Sequence, residues 1–144
     1  MADTLKIEIY RKMAAEDFTK RLSDPTCRAE TGSGTAMTAA VASAFLLRAA
    51  TMTQEAQPEN ERVPLIDRNS ETLRAYMVHL IDEDVKARGP LRRAIKTGDP
   101  QQIDAAGESA AAICNEIVGM MGQALDYLLE LKPLCPEDAK HYLR

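Results

Sequence analysis

Apolar residues recur through most of this chain at steps of three and four, the spacing that lines one face of an α-helix. The clearest row is Leu73, Met77, Leu80, position 84, Ala87, Leu91 and Ala94. Its steps alternate strictly between four and three, as in a heptad seam. It predicts a helix from Asp67 to Thr97, with Asn69 or Ser70 as its cap. Gly89-Pro90 falls inside that helix. Proline there removes a backbone donor and crowds the carbonyl of Lys86, so a kink is expected near Asp84. A second row, Ile103, Ala106, Ala110, Ile113, Ile117, Met120 or Met121, Ala124, Leu128 and Leu131, predicts a helix that starts at Pro100 behind an Asp99 cap. Lys132 to Pro136 stops it, and Pro136-Glu137-Asp138 offers a start for a short last helix ending near Leu143.

Earlier in the chain the pattern changes twice. From Gly34 to Met52 the apolar residues Met37, Val41, Ala44, Phe45, Leu46 and Leu47 stand among alanines. A helix that is apolar or small all round is expected to be buried and crossed closely by its neighbours. A polar linker, Gln54 to Pro64, follows. Near the N-terminus Leu5, Ile7 and Ile9 alternate with Lys6 and Glu8 as in a strand, but no strand partner is in sight. A helix from Ile7 to Leu22 is expected instead, burying Phe18, Leu22 and Met13 or Ala14, and ended by the break at Pro25. The pattern predicts an all-α protein, an antiparallel helical bundle forming one domain over residues 1–144, and a homodimer that buries the alanine-rich helices.

Composition narrows the function. The formal charge is −4 and the pI is about 5.2, which argues against a nucleic-acid partner, since that needs a dense basic face. Few aromatic residues are present to stack bases. Basic residues do gather at Lys86, Arg88, Arg92, Arg93 and Lys96, a patch suited to a small anion or to plain solvation. Cys27, Cys114 and Cys135 are odd in number and widely spaced. They read as reduced thiols of a cytoplasmic protein. No secretory h-region and no apolar run of membrane-spanning length is expected, so no membrane partner is expected either. His79 and His141 are too few for a zinc site, and no metal or cofactor is expected.

Two places could carry chemistry. Asp84 stands on the apolar seam of the third helix, where a lone carboxylate is costly unless paired. It reads either as a general acid/base in a cleft between helices or as the partner of Arg88 at i+4. Asp82 and Glu83 face other ways, so the "DED" run does not converge. "TGSGT", Thr31 to Thr35, reads either as a turn that lets backbone approach an anion or as an ordinary cap by Ser33 or Thr35.

Taken together, "ETGSGTAMTAAVASAFLLRAATMT" and "DVKA", Asp84 to Ala87, resemble the cyclodeaminase/cyclohydrolase family. That family comprises the C-terminal domain of formiminotransferase-cyclodeaminase and the free-standing methenyltetrahydrofolate cyclohydrolases. "AAEDFTKRLSD" is similar to its short first helix and "AAGESAAAICNEIVGMMGQALDYLLEL" to a later core helix. The family's "PGGGS" loop is here "ETGSGT", with Ser33 or Thr35 at the serine position. The resemblance implies an all-helical, usually dimeric enzyme whose substrate is a tetrahydrofolate derivative. It implies Asp84 as the proton shuttle and Gly32, Ser33, Gly34 and Thr35 as the turn that meets the folate. Charge, rather than motif, adds Arg88 and Arg92 as anchors for an anionic tail. Family members continue into helices with a Ser-Asp pair and an Asn-containing segment, and nothing after Leu131 corresponds to them. A partner subunit is then expected to complete the site. The alternative is a member that kept the bundle, lost the reaction, and serves as a binding or subunit-interaction protein.

Overall fold

The computed structural model describes residues 9–144. Four α-helices form a helical bundle: α1 (Ala15–Leu22), α2 (Thr31–Ala56), α3 (Val63–Thr97) and α4 (Pro100–Leu131). Single 3-10 turns, Tyr10–Lys12 and Lys140–Leu143, flank them, and there is no strand among the described residues. The strand-like alternation at Leu5 and Ile7 lies outside those residues.

The first helix is shorter than the periodicity predicts. Met13 and Ala14 are extended, with ψ of 150° and 149°, so α1 starts only at Ala15. The preceding turn is tied elsewhere. Tyr10 is buried in one core with Phe18, Ala36 and Met77, and Arg11 pairs with Asp82 of α3 at 3.4 Å. Asp82 thus faces away from Asp84, as its spacing on the helix requires.

Both central helices begin earlier than expected, α2 because its first turn is met by the distant Asp84 and α3 because an earlier residue than Asn69 caps it. The α3 start is held by Asn60, whose Oδ1 accepts from the amides of Arg62 and Val63 at 3.0 and 3.3 Å. Pro64 sits in the first turn, where a missing N–H costs nothing. Asn69 and Ser70 are therefore not caps. Asn69 donates to Tyr127 Oη, and buried Ser70 donates back to the carbonyl of Ile66. α3 then runs unbroken through the exposed Pro90 and closes at Gly98, whose φ of 74° is left-handed. α4 starts as expected, with Asp99 Oδ1 accepting from Gln101 N at 3.0 Å. The helix expected from Pro136 is reduced to the turn at Lys140–Leu143, with Cys135, Ala139 and Leu143 buried against the core.

α2 shows the most informative departure. Its buried face consists of Gly32, Ser33, Ala36, Ala39, Ala40, Ser43, Leu46, Ala49, Ala50 and Thr53. The larger Val41 and Phe45 are each 47% exposed. Small residues face inward because α3 lies close. Ser33 hydrogen-bonds Asp84 near the start of α2, and Thr51 hydrogen-bonds Asp67 near its end. The alanine face is therefore covered within one chain. The helix is also long and apolar enough, by length and composition, to cross a membrane, with a hydropathy of 1.3 over its most apolar window. This corrects the expectation that no run reaches that length. Alanine, leucine and valine raise the hydropathy, and a core helix of a helical bundle meets the same measure.

The α3 seam is buried at five of its seven positions, while Ala87 and Leu91 are only half-buried. Leu73, Met77, Leu80, Asp84 and Ala94 are buried. Fully burying a side chain such as Met77 or Leu80 contributes roughly 1.5–3 kcal/mol. α4 is joined to α3 by Tyr76 Oη donating to Glu116 at 2.6 Å and by the Asn69–Tyr127 bond.

A candidate functional site beneath the start of α2

The first turn of a helix exposes backbone amides with no partner inside the helix. In α2 those amides are not met by a local side chain, since Glu30 at the cap position makes no side-chain cap bond. Ser33 and Thr35 are not the cap either: Thr35 Oγ1 donates backward to the carbonyl of Thr31 at 2.8 Å. Asp84 supplies the cap from α3. Its Oδ2 accepts from the amide of Ser33 and from Ser33 Oγ, each at 2.9 Å. A carboxylate suits this end of a helix, where the dipole and free amides favour negative charge. Ser33 Oγ also lies 2.9 Å from the carbonyl of Ile81. A hydroxyl carries one proton, so it serves one of these acceptors at a time.

Gly32 makes the approach possible by its size. A Cβ built there would lie 2.5 Å from Asp84 Cγ and nearer still to Oδ1. Its φ is not in the left-handed region, so space, not backbone freedom, requires glycine. At Gly34 a Cβ would meet only Leu22 Cδ1, at 3.4 Å.

The other oxygen of Asp84 belongs to Arg88, whose Nε donates to Oδ1 at 2.8 Å. The i+4 pairing read from the spacing and the meeting of Asp84 with the Gly-Ser turn are thus both present. Arg88 extends further, with Nη1 donating to Glu30 Oε2 at 3.1 Å and Nη2 lying 3.9 Å from Cys114 Sγ. Its pKa is raised above that of an ordinary guanidinium, first by the Asp84 hydrogen bond and then by the charges of Asp84 and Glu30. Arg92, one turn on, donates from Nε to Glu30 Oε1 at 3.1 Å and from Nη2 to the same oxygen. Its Nη2 also donates to the carbonyl of Arg28 at 2.7 Å.

Beside this cluster lies an open groove of about 850 Å³, lined by Cys27, Glu30, Thr31, Gly34, Thr35 and Thr38 among others. Asp84 does not line it and is 0% exposed. The residues singled out in the sequence therefore divide. Gly32, Ser33 and Arg88 gather on Asp84. Gly34 and Thr35 face the groove, and Arg92 joins the cluster only through Glu30. Glu30 was not among the residues read from the sequence. Two arginines four apart on one helix face call for an anion, and Glu30 stands directly before the Gly-Ser turn. Among the described residues, no three His, Cys, Asp or Glu side chains gather to hold a metal ion.

The family model for formiminotransferase-cyclodeaminase matches residues 14–141. No curated protein and no solved structure matches significantly. The matched span takes in all four helices, the Gly-Ser turn and Asp84, and by it the chain belongs to the formiminotransferase-cyclodeaminase family, within folate one-carbon metabolism in general.

Proposed function

We propose that this protein acts on a one-carbon unit carried by tetrahydrofolate, as a methenyltetrahydrofolate cyclohydrolase or a formiminotetrahydrofolate cyclodeaminase. Family membership supports the substrate class. The observation that carries the assignment to residues is the meeting of Asp84 with Gly32 and Ser33 across two helices. In the cyclohydrolase reaction Asp84 takes a proton from the water that adds to the methenyl carbon, and a proton passes to the nitrogen that departs. In the cyclodeaminase reaction it takes the proton from the nitrogen that closes the ring and passes it to the departing amino group, which leaves as ammonia. Ser33 orients the carboxylate through its amide, and through its hydroxyl when that proton is not on the Ile81 carbonyl. Gly34 and Thr35 meet the ligand in the groove, and Arg88 and Arg92, joined to the groove by Glu30, take its anionic end. For the carboxylate to reach a substrate, the Ser33 or Arg88 contact must open.

A second reading is favoured by that same burial. Asp84 is 0% exposed and takes three hydrogen bonds. In this reading it serves only as the cap of α2, and the chain has kept the bundle as a binding or subunit-interaction protein. The loss of methenyl-tetrahydrofolate absorbance separates the two. The enzyme reading expects hydrolysis above the buffer rate, reduced on the order of a hundredfold or more in a folded Asp84→Asn variant. Hydrolysis at the buffer rate in the unaltered protein sinks it.

The same proposal takes the bundle as antiparallel and dimeric, in the cytoplasm, where Cys27, Cys114 and Cys135 remain free thiols. The end-to-start contacts of α2 with α3 support the first point. A row on α4 supports the second: Val118 is 72%, Leu125 55% and Leu129 59% exposed. Light scattering should give twice the chain mass, falling to one chain in Leu125→Glu. A monomeric unaltered protein would remove the dimer from the proposal.

A further inference from the structure

Glu30 is the one member of the cluster on neither α2 nor α3. Its carboxylate bridges two guanidinium groups, with Oε2 on Arg88 and Oε1 on Arg92. Each arginine also has a partner other than Glu30. Arg88 is held by Asp84 and Arg92 by the carbonyl of Arg28. Glu30 has no other side-chain partner among the described residues and is 40% exposed. It also lines the groove with the hydroxyl-bearing Thr31, Thr35 and Thr38.

We infer that Glu30 is a built-in occupant of a carboxylate site made by Arg88 and Arg92, and that an anionic ligand entering the groove binds by displacing it. The inference rests on the reading that these arginines face the ligand. Formal charges explain the ligand class. With Arg88 and Arg92 positive and Asp84 and Glu30 negative, the cluster is neutral while Glu30 is in place. When Glu30 swings out, one positive charge is left over, matched by one carboxylate that takes the same fork of N–H donors. Glu30 precedes the first turn of α2 in a connection with no regular structure, so its side chain can leave without unwinding a helix. Glu30 itself is 40% exposed on the groove side, so a ligand of the same chemistry can reach the part-buried pair and compete for it. Glu30 is then a specificity-determining residue: it bars neutral ligands and sets the affinity for carboxylates.

Calorimetric titration with glutarate at low salt tests this on the full chain. Glu30→Gln should bind glutarate more tightly than the unaltered protein, by about fivefold or more. Adding Arg92→Gln should abolish the gain. Equal or weaker binding by Glu30→Gln overturns the inference. Should that variant not fold, the unaltered protein still decides: glutarate should shift the Arg92 Nε–H resonance in an NMR titration, and an unmoved resonance at saturation overturns the inference. The folate assay is independent. A chain that exchanges Glu30 for glutarate but hydrolyses no folate keeps this inference and loses the enzyme reading, and the reverse outcome does the opposite.

Discussion

At the scale of single residues, Gly32 and Gly34 are two positions apart and have opposite tolerances. An alanine at position 32 would drive its methyl into the Asp84 carboxylate. A packed carboxylate held by three donors cannot move without losing them. Gly32→Ala is expected to destabilise the fold by about 1–3 kcal/mol, the usual cost of overpacking. Gly34→Ala meets only the end of Leu22 at ordinary contact distance, and alanine favours helix over glycine by about 1 kcal/mol. It should leave stability unchanged or slightly raised. Urea unfolding of both variants checks the pair, and equal midpoints would refute the steric account. Both glycines stand in the same short motif, and nothing local tells them apart. The difference comes from Asp84, fifty-two positions after Gly32.

At the scale of helices, α2 inverts the usual relation between residue size and burial. Ala49 is fully buried while Val41 is half exposed. Close packing against α3 leaves no room for more volume, so Ala49→Val should cost about 1–3 kcal/mol. Val41→Ser lies on the outer face and should change stability by no more than about 0.5 kcal/mol. Thermal unfolding of the two variants reads the difference, and a larger loss at Val41 than at Ala49 would reverse the assignment of faces. The even spread of small and apolar residues around α2 hides its buried side from any periodicity. α3 is different. Its seam was legible because Arg74, Tyr76 and His79 interrupt the apolar residues around Leu73, Met77 and Leu80.

At the scale of the whole molecule, several exposed carboxylates have pKa values lowered from the ordinary 4.5. Glu71 is held down first by its hydrogen bond from Arg74, and Glu83 first by that from Lys86. A lowered folded-state pKa contributes stability that is present above the unfolded value and lost as pH falls through the folded one. These pairs are largely exposed, so each contribution is small. Stability should therefore be level near neutrality and decline gradually below about pH 4.5. Tm followed by circular dichroism from pH 7 downward checks this, and a steep loss beginning above pH 5 would contradict it.

The sequence by itself determined the helical class, the seam of α3, the Asp99 start of α4 and the small-residue character of α2. Each follows from contacts between residues three or four apart, which spacing records directly. It also placed Asp84 where a lone charge needs a partner, and it carried the family resemblance that the match over residues 14–141 bears out. Tertiary structure decided where α2 begins, which face of α2 is buried, and that the cap of α2 comes from Asp84. It also brought Glu30 onto Arg88 and Arg92. These depend on contacts between residues far apart in the chain, such as Ser33 with Asp84. A local pattern shows that an amide or a carboxylate needs a partner, but only the packing of α3 against α2 decides which partner arrives.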